Sequence, residues 1–324
     1  LVSLKEVKIL NHYLEYLQPA QVQTPPTEGL ILTIGNFDGV HLGHQALLSR
    51  VFEYAKETGN KSLVVTFDPH PLQVLRPETK IYRLFDREDQ IQQFKKLELD
   101  YLLIQPFSRD LSQLSPEQFV KEILLEALNV KGIIVGYDFS FGAHRAGNIQ
   151  TLNELSKKYH FHSEAVNPLT IDGEIVSSSL IRDSIAQGKM EKAAQRLGRN
   201  YYLKGLVEKG DARGKKIGFP TANLHHVGLF LPRKGVYVTR TLIGNKYWPS
   251  ITNVGTNPTF TKTNITHVET HIFDFDKNIY GEEIQVELCQ WIRDENKFNS
   301  KEELQLQIQK DILLAKEYHK INKS

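Results

Sequence analysis

TIGNFDGVHLGHQALL, residues 33–48, decides the fold of the first half of the chain. It opens as the end of an apolar run, LILTI (30–34), breaks at Gly35, passes Gly39 and Gly43, and then turns helical in its spacing. Over 44–59 the apolar residues Leu47, Leu48, Val51, Phe52 and Ala55 fall on one helical face, and Gly59 is a stop. A strand, a glycine-rich turn and a helix start form a cradle for phosphate, because the free N–H groups and the helix dipole favour an anion there. His41 and His44, three apart, face one side and can donate to phosphoryl oxygens as charge develops. As a bare pair they fit an ordinary structural turn as well. A metal reading is weaker, since HxGH lacks the glutamate of HExxH.

Outward from this string, strands and helices alternate. SLVVTF (62–67), YLLIQPF (101–107) and KGIIVG (131–136) read as buried strands, with a fourth around 162–167. Ser115-Pro116-Glu117-Gln118 is a capped helix start, and the helix behind it is expected to reach about Asn129. Another helix is expected around 149–159. Short apolar strands between helices imply a parallel sheet covered on both faces, with ligands beyond the carboxyl ends of the strands. The turns GNFDGVHLGH, DPHP and GYDFSFG all follow strand ends and should converge on one crevice.

Near Gly188 the pattern changes. Segments 201–208, 235–243, 246–254, 267–275 and 284–292 are β-branched and aromatic, with no helices between them, which suggests an antiparallel barrel. A closing helix starts at Ser300 with Glu303 in a capping box, and Leu304, Ile308, Ile312 and Ala315 form its apolar stripe. The stretch 178–198 reads as the joint.

With 324 residues, about two domains are expected. Lys plus Arg is 40 against 38 for Asp plus Glu, a formal net charge of +2 that argues against a nucleic-acid or acidic-membrane binder. Apolar runs reach about six residues where a membrane span needs ~20. LVSLKEVKIL at the start shows no signal-peptide pattern, and the single cysteine, Cys289, forms no disulfide and reads as a buried small hydrophobe. A cytoplasmic protein, monomeric or weakly self-associating, is the expectation.

A second string, KGDARGKKIGFPTANL (209–224), sets Gly210, Gly214 and Gly218 among Arg213, Lys215 and Lys216. Such a positive backbone nest suits a polyphosphate, and equally an ordinary basic surface turn. Thr221 and Asn223 offer neutral oxygens, which suits Mg²⁺ that shares its shell with water and substrate phosphates.

Resemblance to known families adds to this. GxFDGxHxGH resembles the nucleotidyltransferase signature, and VSSSLIRD (176–183) looks like that superfamily's S-S-T-x-I-R turn, with Ser179 in place of Thr. The resemblance implies nucleotide contacts at Gly35, Phe37, Asp38, Gly43, Ser178 and Ser179. It gives Arg182 a clamp on the triphosphate and lets Asp38 orient the turn. TFDPHP (66–71) and GYDFSFG resemble the FMN adenylyltransferase module of prokaryotic FAD synthetases. There Asp138 would read the isoalloxazine edge, and Phe139 and Phe141 would stack. The glycine-rich run before PTAN resembles the riboflavin kinase signature, with Ala212 where a glycine is common. Nucleotide contacts follow at Gly210, Arg213, Gly214, Lys216, Gly218 and Pro220, and Mg²⁺ ligation at Thr221 and Asn223. NVGTNPTF (253–260) is similar to that family's N-[IV]-G-x-R-P-T-F, with Asn257 for Arg. VETHIFDF (268–275) places the base on Glu269, and Arg293 and Phe298 are further candidates near the flavin.

The resemblance spans about residues 14–319 and is to bifunctional riboflavin kinase/FAD synthetases. It implies an α/β, Rossmann-like nucleotidyltransferase domain with a parallel sheet over 1–185. An antiparallel β-barrel riboflavin kinase domain with a C-terminal helix is implied over 186–324. It further implies ATP as co-substrate, Mg²⁺, and riboflavin, FMN and FAD as ligands. Two rival readings stand beside it: an adenylyltransferase for another acceptor, and a flavin-binding regulator without turnover.

Overall fold

The computed structural model describes residues 8–10, 28–97, 99–210, 214, 217–225, 228–256 and 266–322. Its contacts divide the chain into two compact units, Leu1–Ser177 and Ser178–Ser324.

In the first unit, strands β1 (Lys8–Leu10), β2 (Leu30–Ile34), β3 (Lys61–Phe67), β4 (Tyr101–Gln105), β5 (Val130–Gly136) and β6 (His162–Val166) form one sheet ordered β1-β4-β3-β2-β5-β6. Every pairing in it is parallel. The chain leaves β2 toward β3 on one side and returns to β5 on the other, so the carboxyl end of β2 lies at the point where strand order reverses. Both faces are covered. Helix α1 (Leu42–Glu57) lays Leu47, Leu48, Val51 and Ala55 over Ile31, Val64, Leu102 and Ile134. On the other face Leu30, Leu32, Leu63 and Ile133 pack with Phe119, Val120, Leu152 and Leu155. Coverage of both faces explains why these strands read as unbroken apolar runs.

Shorter helices fill the connections: α2 (Pro71–Leu75), α3 (Arg87–Lys95), α4 (Arg109–Gln113), α5 (Pro116–Gln118) and α6 (Ile149–Tyr159). The capping box at Ser115 forms as the sequence implies, with Gln118 Oε1 accepting from the Ser115 N–H. The helix behind it widens into π turns over Phe119–Glu126 and stops short of Asn129, which takes a left-handed φ of 53°. Nothing in the structure explains the widening. A small hairpin, β7 (Thr170–Ile171) with β8 (Glu174–Ile175), and the edge strand β1 lie beyond the sequence reading, since two or three residues give no periodicity.

The second unit starts with α7 (Ser178–Ala186) and α8 (Met190–Leu197), so the expected joint is two helices. The break between them is at Gly188, whose φ is 75°, and a Cβ there would lie 3.2 Å from the Trp291 ring. Strands β9 (Tyr201–Glu208), β10 (Ala222–His225), β11 (Gly235–Ile243), β12 (Lys246–Thr256), β13 (Thr266–Ile272) and β14 (Glu283–Arg293) close into an antiparallel barrel. Strand β10 is the one the sequence reading missed: it is four residues long and lies inside PTANL. Hydroxyls satisfy one another within the barrel. Thr239 meets Ser250 and Thr252, each at 2.8 Å, and Thr252 meets Thr270 at 2.9 Å.

Helix α9 (Lys301–Ile321) covers one side of the barrel. Ser300 caps it, accepting from the Glu303 N–H at 3.1 Å, while the Glu303 carboxylate accepts from the N–H of Asn299, one residue earlier than a capping box requires. Ala315, Ile312 and Tyr318 pack on Val236, Val238, Ile251 and Cys289. Burial pushes the Cys289 thiol up to about 12, so it stays protonated and unreactive at neutral pH. No described helix is long and apolar enough to cross a membrane.

Candidate functional sites

The turn after β2 is held in an unusual backbone. Phe37, Gly39 and Val40 have φ of 48°, 87° and 39°. Gly39 adopts this freely, but Phe37 and Val40 do so at a cost of about 1–3 kcal/mol each. Several contacts over-determine the shape. Phe37 is buried and meets the ring of Phe94 edge-on, with centroids 5.8 Å apart. Asp38 accepts from the Leu84 N–H at 3.0 Å, so its carboxylate orients the turn. Gln90, reaching from α3, donates from Nε2 to the carbonyls of Asn36 (2.8 Å) and Phe37 (3.1 Å). Its Oε1 accepts from Arg87 at 2.5 Å, and Arg87 also donates to the Phe67 carbonyl at the end of β3 at 2.7 Å. A Cβ at Gly35 would lie 3.2 Å from the Phe37 ring, so a side chain there would press on that ring.

This turn delivers two histidines to the head of α1. His41 is the N-cap: its Nδ1 accepts from the His44 N–H at 3.2 Å, which leaves its proton on Nε2. The two rings stack with centroids 3.6 Å apart and planes 17° from parallel. Gly43 allows this approach, because a Cβ there would meet the His41 ring at 3.2 Å and the Val176 carbonyl at 3.1 Å. Burial, and then the neighbouring His41, holds His44 well below the usual imidazole range. His44 is therefore neutral at pH 7, and its buried Nδ1 has no hydrogen-bond partner. Such a pair can gain charge and hydrogen bonds when an anion arrives.

The titration has a stability consequence. A histidine whose pKa is lowered by folding binds its proton better in the unfolded chain, so stability rises with pH across the interval between the two values. The first unit should lose thermal stability as pH falls below about 6.5 toward the folded-state value. In His44→Gln that slope should be reduced. Calorimetry from pH 7.5 to 5 measures it, and an unchanged slope would mean another group is responsible.

At the end of β5, Asp138 is exposed and its Oδ1 lies 3.3 Å from where a Gly136 Cβ would stand. Phe139 is half-buried and stacks on Phe141 with centroids 5.3 Å apart. Phe141 itself is core: it is buried and packs near Phe119. The ends of β2, β3 and β5 adjoin, so the turns after them stand side by side. The Thr66 hydroxyl reaches the Asn36 carbonyl at 3.3 Å.

In the second unit Ser178, Ser179 and Arg182 occupy the first turns of α7. The barrel carries a polar row. Asn223 on β10 stands opposite Glu208 on β9 and Glu269 on β13, and Glu269 stands opposite Asn253 on β12. Directly opposed residues share a face. Ala222, Leu224, Val268, Thr270 and Val254 alternate with this row and are buried, so the row faces outward. Gly210 backs it: a Cβ there would lie 2.3 Å from Asn223 Nδ2. The loop before Thr221 is tied at three points. Phe219 donates from its N–H to the Gly214 carbonyl at 2.9 Å, His271 Nδ1 meets the Pro220 carbonyl at 2.7 Å, and Gln305 of α9 donates to the Ile217 carbonyl at 3.1 Å. Gly218 has φ of 88° with open space around it. Arg213, Lys215, Lys216 and Asn257 lie outside the described residues. Arg293 is committed to α9: its Nε and Nη2 hold the buried Asp311 carboxylate, with Nη2 at 2.7 Å. Its guanidinium also lies 5.8 Å from the Phe298 ring centroid.

Sequence reasoning missed Gln90, Arg87, His271, Glu208 and Asn253. Glu208 joins the row through β10, which is too short to read, Asn253 through the β12–β13 register, and His271 acts on a backbone carbonyl. Gln90 had no motif around it.

A family profile described as FAD synthetase matches residues 23–180, and one described as riboflavin kinase matches residues 197–319. A bifunctional riboflavin kinase/FMN adenylyltransferase of Buchnera aphidicola subsp. Schizaphis graminum is 38% identical over 290 residues, covering 89% of this chain and 93% of that protein. The protein of the same description from Escherichia coli K12 is 36% identical over 299 residues, 92% of this chain and 95% of its own length. A crystal structure described as a macrolide-efflux protein from Streptococcus pneumoniae superposes with a TM-score of 0.83 at 29% identity, covering 90% of this chain and 94% of that one.

Proposed function

Because this chain belongs to the family of bifunctional riboflavin kinases/FMN adenylyltransferases, we propose that the two reactions are carried separately, adenylyl transfer by residues 1–185 and riboflavin phosphorylation by residues 186–324. The chain makes FAD in two ATP-dependent steps. The observation that carries the division is that each unit has its own polar cluster: the stacked His41–His44 pair in the first, and the Asn223–Glu269 row in the second.

In the kinase step the 5′-hydroxyl oxygen of riboflavin attacks the γ-phosphorus of ATP. The bond from that phosphorus to the bridging oxygen breaks, ADP leaves, and the hydroxyl proton passes to Glu269. The glycine-rich loop from Gly210 to Pro220, with Arg213, Gly214, Lys216 and Gly218, holds the nucleotide. Thr221 and Asn223 would hold Mg²⁺. Two neutral oxygens beside a carboxylate suit a hard cation completed by phosphate and water, and no cluster of three or more acidic, His or Cys side chains suited to a metal occurs among the described residues. Bound there, the ion would offset charge on the transferring phosphoryl group.

In the second step a phosphate oxygen of FMN attacks the α-phosphorus of a second ATP, and pyrophosphate leaves. His41 and His44 stabilise charge at the α-phosphoryl group; Ser178, Ser179 and Arg182 bind the departing pyrophosphate. Gly35, Phe37, Asp38 and Gly43 shape the nucleotide cradle. Asp138 and Phe139 read and stack on the flavin, with Phe141 supporting Phe139 from beneath. Arg293 supports the flavin side of the barrel through its hold on α9. This reading assigns VSSSLIRD (176–183) to the adenylyl-transfer motifs, with a functional boundary at residue 185. Cytoplasmic location completes the reading.

The test is a reaction with riboflavin, ATP and Mg²⁺, resolving FMN and FAD over time. FMN rising first and FAD following supports the reading; FMN accumulating with no FAD would leave the first unit without its activity.

Gln90 gives a more local prediction. Gln90→Leu removes both donors that hold the Asn36 and Phe37 carbonyls. Displacement of the turn by a fraction of an ångström should lower FAD formation about 10-fold or more. Riboflavin phosphorylation by the same preparation should be unchanged, which separates a moved site from a misfolded chain.

A further inference from the structure

We propose that the outer face of α9 is a self-association surface on which a second copy of this chain docks antiparallel. The inner face of the helix is fully used. Ala315 and Asp311 are buried, His319 Nε2 meets the Thr239 carbonyl at 3.0 Å, and Asp311 holds Arg293. The opposite face carries four large apolar side chains in water: Leu306 at 59% exposure, Leu313 at 68%, Leu314 at 52% and Ile321 at 76%. Elsewhere the exposed large apolar residues stand singly, apart from the pair Leu72 and Leu75 on the short α2. Here four fall on one helix.

Their spacing makes them a surface. At 3.6 residues per turn, Leu306, Lys310, Leu313, Leu314, Glu317 and Ile321 share an arc of about 100°. Lys310 and Glu317 lie along the middle of that arc, and the apolar residues flank them. No ion pair engages either residue among the described residues.

The face is self-complementary in one orientation. A two-fold axis midway between Leu313 and Leu314 sets Leu313 against Leu314 of the partner subunit and Leu306 against Ile321 of the partner subunit. The same axis sets Lys310 against Glu317 of the partner subunit, twice by symmetry. A parallel arrangement would instead face Lys310 with Lys310 and Glu317 with Glu317, two like-charge contacts that disfavour it. Charge thus selects the antiparallel copy as occupant.

The size of the patch sets the strength. Covering these side chains on both copies removes on the order of 1,000 Å² in total, at the low end for specific complexes. A weak, concentration-dependent dimer follows, with a dissociation constant of about 10–500 µM.

Sedimentation velocity of the full chain from about 5 to about 500 µM tests this. The expected result is a shift from monomer toward dimer across that range. Leu313→Glu should weaken the dimer at least tenfold. Lys310→Glu and Glu317→Lys should each weaken it, and the double variant should restore it, because the swap rebuilds both ion pairs. All these positions are exposed, so both enzymatic activities serve as the check on folding. A chain that stays monomeric throughout overturns the proposal. So does a dimer whose affinity Leu313→Glu leaves within twofold, or a double variant no tighter than the singles. Monomers that are retained by anionic phospholipid vesicles through this face would assign it to a lipid surface instead.

Discussion

His44→Ala should lower FAD formation from FMN and ATP by about 10²–10³-fold while riboflavin phosphorylation continues at its wild-type rate. His44 is neutral before substrate binds, because burial and the stacked His41 hold its pKa down. An incoming triphosphate reverses that balance: a nearby anion favours the protonated ring, and the partnerless Nδ1 gains something to bond. Transfer of the adenylyl group places further negative charge on the α-phosphoryl oxygens, where a pre-positioned imidazole costs no reorganisation. Alanine removes the ring and leaves the turn largely intact, since His41 still accepts from the backbone N–H of residue 44. His44→Asn keeps a donor without the titration, so it should retain more activity than alanine. A reaction started from riboflavin should then stall at FMN. If His44→Ala, folded and active as a kinase, still made FAD within threefold of wild type, the histidine pair would be a structural stack only.

How much of this was legible in the sequence differs between the two units. In the first, the strand LILTI and the helix 149–159 match their expected bounds, because strands buried on both faces are unbroken apolar runs and amphipathic helices are periodic. The HxGH turn into a helix start was legible because its glycines, histidines and helix start are contiguous. What holds that turn was not legible. Gln90 and Arg87 lie some fifty residues downstream on α3, and they act through backbone carbonyls that any sequence would supply.

In the second unit the barrel was legible from strand-like segments without helices between them. The pairing of Asn223 with Glu269 was not, because it depends on β10, four residues that carry their meaning in tertiary pairing alone. The closing helix shows the same limit. Of its expected apolar stripe, Leu304, Ile308, Ile312 and Ala315, the residues Ile312 and Ala315 pack on the barrel. The apolar residues on the opposite face have the same periodicity and become visible as a surface once the barrel is seen to occupy only one side.

Glu269→Ala should produce the mirror image, lowering riboflavin phosphorylation by about 10²–10⁴-fold while FAD formation from supplied FMN is unaffected. The primary hydroxyl of riboflavin is a poor nucleophile until its proton has somewhere to go. Glu269 faces outward from the barrel directly opposite Asn223, so a carboxylate stands beside the oxygens proposed to hold the metal and its nucleotide. Because the residue is on the outer face and half-buried, its loss should cost the barrel little stability. Glu269→Gln decides between two roles. The amide preserves size and hydrogen-bonding reach but cannot accept the proton, so a base predicts that glutamine is nearly as impaired as alanine, with KM for riboflavin and ATP little changed. A glutamine variant of near wild-type rate would make Glu269 a positioning side chain in the polar row and move the base elsewhere. The comparison with His44→Ala adds a further constraint: given riboflavin, the His44 variant should accumulate FMN and the Glu269 variant should consume almost nothing. Given FMN, the Glu269 variant should make FAD normally and the His44 variant should not. A substitution in one unit that stopped both reactions in folded protein would contradict separate sites.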